Sequence, residues 1–513
     1  MPRSWYLFVQ IISVSLLVAC GVCRSASLVG GYGEYKEVQC HLQQRIEQAS
    51  AGDIINGAGC VERSAVKLQK RLTLQNLTIK GSDDWSGDFT AVGGNYQSRR
   101  TVPEFEEPSD TDDWDNAQLC ETADDVMCIE AEMVFVNGTY LRQLPDGSDP
   151  GAGEFALDEE RRVILGSDPG NALVEVVVRQ MGIHMYRGSA GAVLDNVLVT
   201  QVGNTVGPHG LGTGPAIKNN GQALTVKNSE VSWVHGTGMS CGGGVRCEIT
   251  GTEVHHAGAA GMNSFKARPL IFDHNRIHHN CTSLPDVHYN DTFTCSGLKI
   301  IGQASVPGSV TDSEFYKNDH SGIWLDGRAN EITIANNRIH HNEERGIEIE
   351  NSSDVTIRDN VLFANGWVGT TSAAFNSGGI YILDGADVKI YRNVMAWNRD
   401  GFAYIGGERR DRNTGIEMYD NDIIVGGTDA GNQILTGWLL RGDELGGNIA
   451  HDNRYYYGGQ KDDSAKNKFQ WDRAKYASLA EFNSTPGEEN SHWLSNDEVR
   501  RLLSANKLPT KSP

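Results

Sequence analysis

Gly322-Ile323-Trp324-Leu325-Asp326, Gly346-Ile347-Glu348-Ile349-Glu350 and Gly379-Ile380-Tyr381-Ile382-Leu383 can be written under one another. Each alternates apolar residues with residues that must point the other way, the period of two that marks a β-strand. Each follows a short run ending in Asn or leads into one: Asn337 to Asn342, Asn360 to Asn365, Asn393 to Asn398. Aligning the central apolar residue of such runs gives Val199, Val231, Val254, Ile277, Phe315, Ile339, Leu362 and Met395. The steps are 32, 23, 23, 38, 24, 23 and 33 residues, a base period of 23–24 with insertions. That is the signature of a repeat architecture.

The period selects the kind of repeat. Short strands separated by Gly and Asn turns, one coil per repeat, predict an all-β chain: a right-handed parallel β-helix solenoid. Stacked coils stand about 4.8 Å apart. One Asn per repeat fits an internal ladder of side-chain amides. Residues at one repeat position therefore form a column. Counting from each Gly, one outward column reads Lys299, Trp324, Glu348, Tyr381, and the next reads Ile301, Asp326, Glu350, Leu383. Asp326 and Glu350 are expected on adjacent coils, facing the same way.

The N-terminus carries Arg3, an apolar run from Trp5 to Ala19 and small residues beyond it, which reads as a signal peptide over residues 1–25. Leu17-Val18-Ala19-Cys20 also fits a lipoprotein cleavage box, which would leave Cys20 lipidated. No later segment is long and apolar enough for a transmembrane helix. The expected location is extracytoplasmic: secreted, periplasmic or on an outer membrane. Eight further cysteines fall into neighbouring pairs, Cys40/Cys60, Cys120/Cys128, Cys241/Cys247 and Cys281/Cys295, without metal-binding CxxC spacing. Local disulfides are the expectation. The net charge of −21 argues against nucleic acid as a partner.

The remaining organisation follows in order. His41 to Ala51 reads as a helix capping the first coils, within an N-terminal segment of residues 26–81. Residues 82–170 form an acidic insertion with a small β-hairpin module around Val134-Phe135-Val136-Asn137-Gly138. The β-helix resumes at Val174 within a segment of residues 171–453. Residues 454–513 form an extension whose helix, Asn496 to Ala505, is expected to cap the other end.

The chemistry of the column can be argued directly. Retaining glycosidases hold two carboxyls roughly 5–5.5 Å apart. One coil step of about 4.8 Å supplies nearly that separation. Asp326 and Glu350 are thus the candidate catalytic pair. Trp324 offers a flat face for a sugar ring. Glu348, Lys299 and Tyr381 share that face, and His320 and Arg345 lie just ahead of the two key strands; these are the candidate substrate-binding residues. No metal or other cofactor is required. A polysaccharide lyase is the alternative, with Lys299 or Tyr381 as base and Ca²⁺ on Asp326, Glu348 and Glu350. A non-catalytic glycan-binding surface is a third reading. The His-His pairs at 255/256, 278/279 and 340/341 recur at one repeat position and are expected from repeat geometry.

The signal peptide, the β-helix entry, the Val-Phe-Val-Asn-Gly module and the Gly-Ile-Trp-Leu-Asp coil together resemble secreted bacterial right-handed parallel β-helix proteins of the pectin-lyase-like superfamily. Within it, Trp324-Leu325-Asp326, followed one coil later by Glu350, is similar to the β-helix β-xylosidases. That resemblance implies a retaining mechanism with an Asp nucleophile and a Glu acid/base. The strand Glu348-Ile349-Glu350-Asn351 departs from the family's pattern and leaves two glutamates open for the acid. The expected function is a glycoside hydrolase acting on a plant or algal polysaccharide or oligosaccharide.

Overall fold

The computed structural model describes residues 37–511 except 106–129, 206–213, 282–294, 303, 368–377, 407–413, 427–433, 441–446, 459–467, 473 and 486–487. Cys120, Cys128 and residues 1–25, read above as a signal peptide and including Cys20, lie outside the described residues. The chain from Val38 to Pro513 forms one unit, built from coils of parallel strands.

Each coil turns two corners of the same design. At the first corner a residue in the left-handed region turns the chain: Asn336 at φ 59°, Asp359 at 57°, Arg392 at 53°. The next residue is a buried Asn (Asn337, Asn360, Asn393). At the second corner His341, Ala364 and Trp397 take the left-handed role, and Asn342, Asn365 and Asn398 are the inward residues. Left-handed residues are uncommon outside Gly. Here the following Asn compensates, because its side chain satisfies backbone groups that the corner leaves unpaired. Asn342 Nδ2 donates to Phe315 O of the preceding coil at 3.2 Å and to Asn365 Oδ1 of the next at 2.9 Å. Its Oδ1 accepts from Asn318 N at 3.1 Å and Asn318 Nδ2 at 3.0 Å. The parallel ladder Asn337–Asn360–Asn393–Asn421–Asn453 repeats the pattern. The sequence period anticipates one ladder; the fold contains two, because the coils at Asn337–Asn342, Asn360–Asn365 and Asn393–Asn398 each have two such corners.

The ladders fix the register. Val199, Val231, Val254, Ile277, Phe315, Ile339, Leu362 and Met395 stand opposite one another in an unbroken column, despite unequal spacing in sequence. The column extends to Ile79 before it and to Ile423 and Tyr455 after it. These side chains fill the core together with Ile323, Ile347, Ile380 and Phe402 of the second parallel sheet. Strands of that sheet open on Gly for a steric reason. A Cβ at Gly322 would lie 2.8 Å from Asn342 Nδ2 and 2.9 Å from Gly346 O.

The helix Leu42–Gln48 covers the first coil, burying Leu42 and Ile46; Cys40–Cys60 pins it there. Cys241–Cys247 and Cys281–Cys295 are the other described disulfides, both between the neighbours paired by sequence. No helix among the described residues is long and apolar enough to cross a membrane.

Three expectations are corrected. Val174–Val177 does not resume the β-helix: it pairs antiparallel with Ser82–Asp84 and Val134–Val136 of the side module, and the parallel coils resume at Ile183–Met185. Val174 and Val176 pack into that module's own core. The coils also continue past Asn453, through Arg454–Tyr457 and Phe469–Trp471. The helix Asn496–Ala505 does not close the end of the stack. Val499 and Leu503 pack on Phe363, Ala396, Trp397 and Ile424, on the flank of successive coils. The end is closed instead by Leu479–Phe482, with Phe482 stacked 5.0 Å from Phe469.

Two outcomes are expected. Asn342→Ala removes the donor to Phe315 O and the acceptor of Asn318 N, so it should lower stability by about 2 kcal/mol or more; Lys389→Ala on the exposed face should change it by less than about 0.5 kcal/mol. Urea midpoints check this. Glu488 terminates the Asn ladder, accepting from Asn453 Nδ2 at 3.0 Å and from the hydroxyls of Tyr455 and Ser491. Burial pushes its carboxyl up to about 7. A raised carboxyl means that the folded state binds the proton more tightly. Glu488 should therefore make stability fall as pH rises from the ordinary carboxylate range to about 7. Thermal melts of Glu488→Gln across that window should be flatter than those of the wild type.

Candidate functional site

The site column lies on the outer face of the second parallel sheet. Lys299, Trp324, Glu348 and Tyr381 are direct neighbours on successive strands, Leu298–Ile301, Ser321–Asp326, Arg345–Glu350 and Gly378–Leu383. Leu325 pairs with Ile349, so the register places Asp326 and Glu350 at equivalent positions one coil apart. Their column reads Phe265, Ile301, Asp326, Glu350, Leu383, Ile405, Leu439. Two carboxylates therefore interrupt an otherwise apolar line. Both are half-buried.

The neighbouring column is buried, which changes two expectations. Trp324 is 3% exposed and is not an open platform for a sugar ring. The Lys299 ammonium sits 3.2 Å from its ring centroid, and the His320 imidazole stacks on it at 4.6 Å. Tyr381 is likewise buried, with the Arg345 guanidinium 4.6 Å from its ring centroid, and burial pushes its phenol up to about 12. An exposed aromatic does occur in the carboxylate column: Phe265, two coils before Asp326. Its strand, Met262–Phe265, lies one coil before the first strand of the column read from sequence.

Glu348 is the centre of a buried polar network. It accepts from Ser321 Oγ at 2.7 Å and from Arg345 Nη1 at 3.0 Å. Arg345 Nη1 also lies 3.0 Å from Glu344 Oε2 and 3.2 Å from His320 Nε2. Because Arg345 can only donate, His320 Nε2 is the acceptor, and the ring proton is on Nδ1, 2.9 Å from Ser321 Oγ. Burial pushes His320 down to about 3, so it stays neutral. Burial also works to raise the Glu348 carboxyl, but Arg345, His320, the Ser321 hydroxyl and Lys299 outweigh it and hold it below the usual range. A carboxyl held ionised by these partners is not a proton donor. Of the two glutamates left open by the sequence, Glu350 is the one on the accessible column.

All eight sequence-derived site residues thus fall in one constellation, as two classes: Asp326 and Glu350 half-exposed, and Lys299, Trp324, Glu348, Tyr381, His320 and Arg345 behind them. Sequence reading missed Ser321 and Glu344. Ser321 shares a column with Arg345, a position that the repeat alignment contains. The Glu348 carboxylate is engaged by Arg345 and Ser321, which leaves it ill placed for the Ca²⁺ set of Asp326, Glu348 and Glu350. Among the described residues, the three-residue group whose ligand atoms come together lies elsewhere, at Asp273, His274 and Asp312 on the exposed surface. The histidine pairs form two stacks with the coil repeat: His255, His278 and His340 meet Glu230, Glu253 and Glu314 of their preceding coils. One stack runs His255–His278–Tyr316–His340 at 4.9, 4.5 and 5.1 Å, and the other holds His256–His279 at 5.3 Å.

Residues 216–395 match the family described as "Right handed beta helix region". That match and the coil architecture above agree on a right-handed parallel β-helix fold. Its fold is similar to that of XylC, solved in complex with xylose: TM-score 0.57, 13% identity, covering 84% of this chain and 82% of that one. Lower overlaps occur with the periplasmic alginate epimerase AlgG (TM-score 0.42, 11% identity, 79% and 72% covered). The A-module of the Azotobacter vinelandii mannuronan C-5 epimerase AlgE4 gives a TM-score of 0.37 at 14% identity, with 80% and 94% covered. No curated protein sequence matches the chain.

The two classes of carboxylate should separate in stability. Glu348→Ala removes the acceptor of Ser321 and one of the two carboxylates that Arg345 meets in a buried network, and should cost about 2 kcal/mol or more, whereas Glu350→Ala should cost less than about 1 kcal/mol. Equal urea midpoints for the two variants would contradict the buried role of Glu348.

Proposed function

We propose that this protein is a carbohydrate-active enzyme of the retaining glycoside hydrolase class, with Asp326 as nucleophile and Glu350 as general acid/base. The observation that carries the reading is the pair itself: two half-exposed carboxylates one coil apart in a column of apolar residues. A coil step of about 4.8 Å falls close to the roughly 5–5.5 Å that covalent retaining chemistry uses. In the first step Asp326 attacks the anomeric carbon while Glu350 gives its proton to the departing oxygen. In the second, Glu350 takes a proton from water, which attacks the same carbon and releases Asp326.

Surrounding features support this assignment. Glu348, fixed by Arg345 and Ser321, cannot supply the proton, so Glu350 carries the acid role alone. Phe265 offers the accessible aromatic face that Trp324 does not. The likeness to XylC, whose structure holds xylose, is consistent with a sugar ligand. A lyase needs an accessible base. Burial of the Lys299 amine and of the Tyr381 phenol, the latter pushed up to about 12, speaks against both candidates. The substrate is a plant or algal polysaccharide or oligosaccharide, met outside the cytoplasm, where the disulfides persist.

The test is a screen of neutral and uronic-acid glycans and nitrophenyl glycosides, reading reducing ends and unsaturated products together. Asp326→Asn should reduce turnover by about 1,000-fold or more in a protein that remains folded at the assay temperature. Glu350→Gln should slow poor leaving groups by about 100- to 10,000-fold and activated aryl glycosides far less, since those need no proton. Unsaturated products would transfer the case to a lyase; equal turnover by wild type and Asp326→Asn would remove Asp326 from the mechanism.

A further inference from the structure

Lys299 is a lysine whose side chain is only 4% exposed, on the outer face of a sheet where an ammonium would ordinarily reach water. Burying an ammonium is costly unless it is paired. Its Nζ lies 3.5 Å from Asp326 Oδ2 and 3.2 Å from the centroid of the Trp324 ring. The register explains the geometry. Trp324 is the direct neighbour of Lys299 on the next coil, and Asp326 is two residues further along the same face. Lys299 therefore reaches diagonally across the indole to the carboxylate. Glu348 is the next member of the column, beyond Trp324.

We propose that Lys299 is a positioning residue of the Asp326–Glu350 pair: seated on the Trp324 ring, its ammonium holds the Asp326 carboxylate in one orientation, aimed at the reacting carbon. This rests on the reading of Asp326 as nucleophile. Trp324 then acts as a floor for the ammonium through cation–π contact, which accounts for an aromatic that is buried beside the site and closed to sugar. The charged and titratable groups around Lys299 are Asp326, Glu348, Glu350 and His320. Burial lowers the Lys299 ammonium from the ordinary lysine range, and the three carboxylates pull the other way. The hold on Asp326 is therefore released on the alkaline side, earlier than an exposed lysine would allow.

The test uses the full chain with lysine carrying ¹³C at the ε position. Lys299 should show ε-CH₂ protons shifted upfield by the Trp324 ring, a signal absent in Lys299→Met and normal in Trp324→Leu. In Asp326→Asn the titration midpoint of that signal should fall by about one pH unit, because an opposite charge at this range has been removed. On the nitrophenyl glycoside that the wild type hydrolyses fastest, Lys299→Met should lose at least about tenfold in kcat with KM within about threefold, the pattern of an interaction used in the transition state. Its alkaline limb should change with it. Trp324→Phe, which keeps a ring face, should retain more kcat than Trp324→Leu, and Lys389→Met on the exposed sheet should match the wild type. An unmoved Lys299 midpoint in Asp326→Asn, or wild-type kcat in Lys299→Met beside an inactive Asp326→Asn, overturns the positioning role and leaves the hydrolase reading standing. A wild type that hydrolyses no glycoside removes the hydrolase reading and the positioning role with it, while a moved Lys299 midpoint would still establish the ion pair as structural.

Discussion

The structure depends on the side-chain amides of the buried Asn ladders at its corners, with Ser313 standing in for Asn between Asn275 and Asn337. The Nδ2 of such an Asn reaches the carbonyl of the coil before and the Oδ1 of the coil after, as Asn337 does with Val310 O at 2.8 Å and Asn360 Oδ1 at 3.0 Å. Both ends of the amide are committed to different coils. A one-residue slip of one coil would break bonds on two sides and would also send every side chain of the slipped strand to the opposite face. Register is thus set at the corners rather than by the loops. Insertions between corners can then vary freely: the 38-residue step from Ile277 to Phe315 leaves that pair in direct register, as the 24-residue step from Phe315 to Ile339 does. The Gly that opens the strands of the site sheet is part of the same constraint, since the Asn amide occupies the space that a Cβ would need.

A fixed register turns the site into a question of columns, and electrostatics separates the columns. Lys299, Glu348, Arg345 and His320 lie together in a poorly solvated layer behind Asp326 and Glu350. Partial burial of so many charges is justified only when each finds a partner. Glu348 meets that requirement fully, with Arg345, Ser321 and His320 around one carboxylate oxygen. Such a group is rigid and held ionised. The pair in front has the opposite character, with accessible carboxylates in a line of Phe265, Ile301, Leu383 and Ile405. A stiff charged layer behind an accessible pair is how a site keeps its geometry when substrate enters.

Much of this was legible in the sequence for one physical reason: a solenoid converts period into neighbourhood. The column from Val199 to Met395 and the pairing of Lys299, Trp324, Glu348 and Tyr381 needed only the alignment of repeats. Burial was not legible. Alternation says which side of a strand Trp324 faces, but not that Lys299 and His320 occupy its ring. The ends were also misread. Asn496–Ala505 has the amphipathic pattern of a cap, yet Trp397, Phe363 and Ile424 offer it an apolar flank that no periodicity announces. Val174–Val177 has the composition of a coil strand, and only its antiparallel partners at Ser82–Asp84 and Val134–Val136 distinguish it.

The fold also restricts which stereochemistry the carboxylate column can support. Strand spacing makes separations along a column multiples of about 4.8 Å. One step suits a covalent retaining pair; two steps, roughly 9.6 Å, approach the wider gap of about 6.5–9.5 Å that admits a water in inverting enzymes. In this column the positions two coils from each carboxylate are closed to the second option. Two coils before Glu350 stands Ile301, and two coils after Asp326 stands Leu383. Glu348, on the adjacent column, is bound to Arg345 and Ser321 and cannot act as a base on water. The pair that remains is Asp326 with Glu350, one step apart, and that is the spacing on which the proposed retaining reading rests.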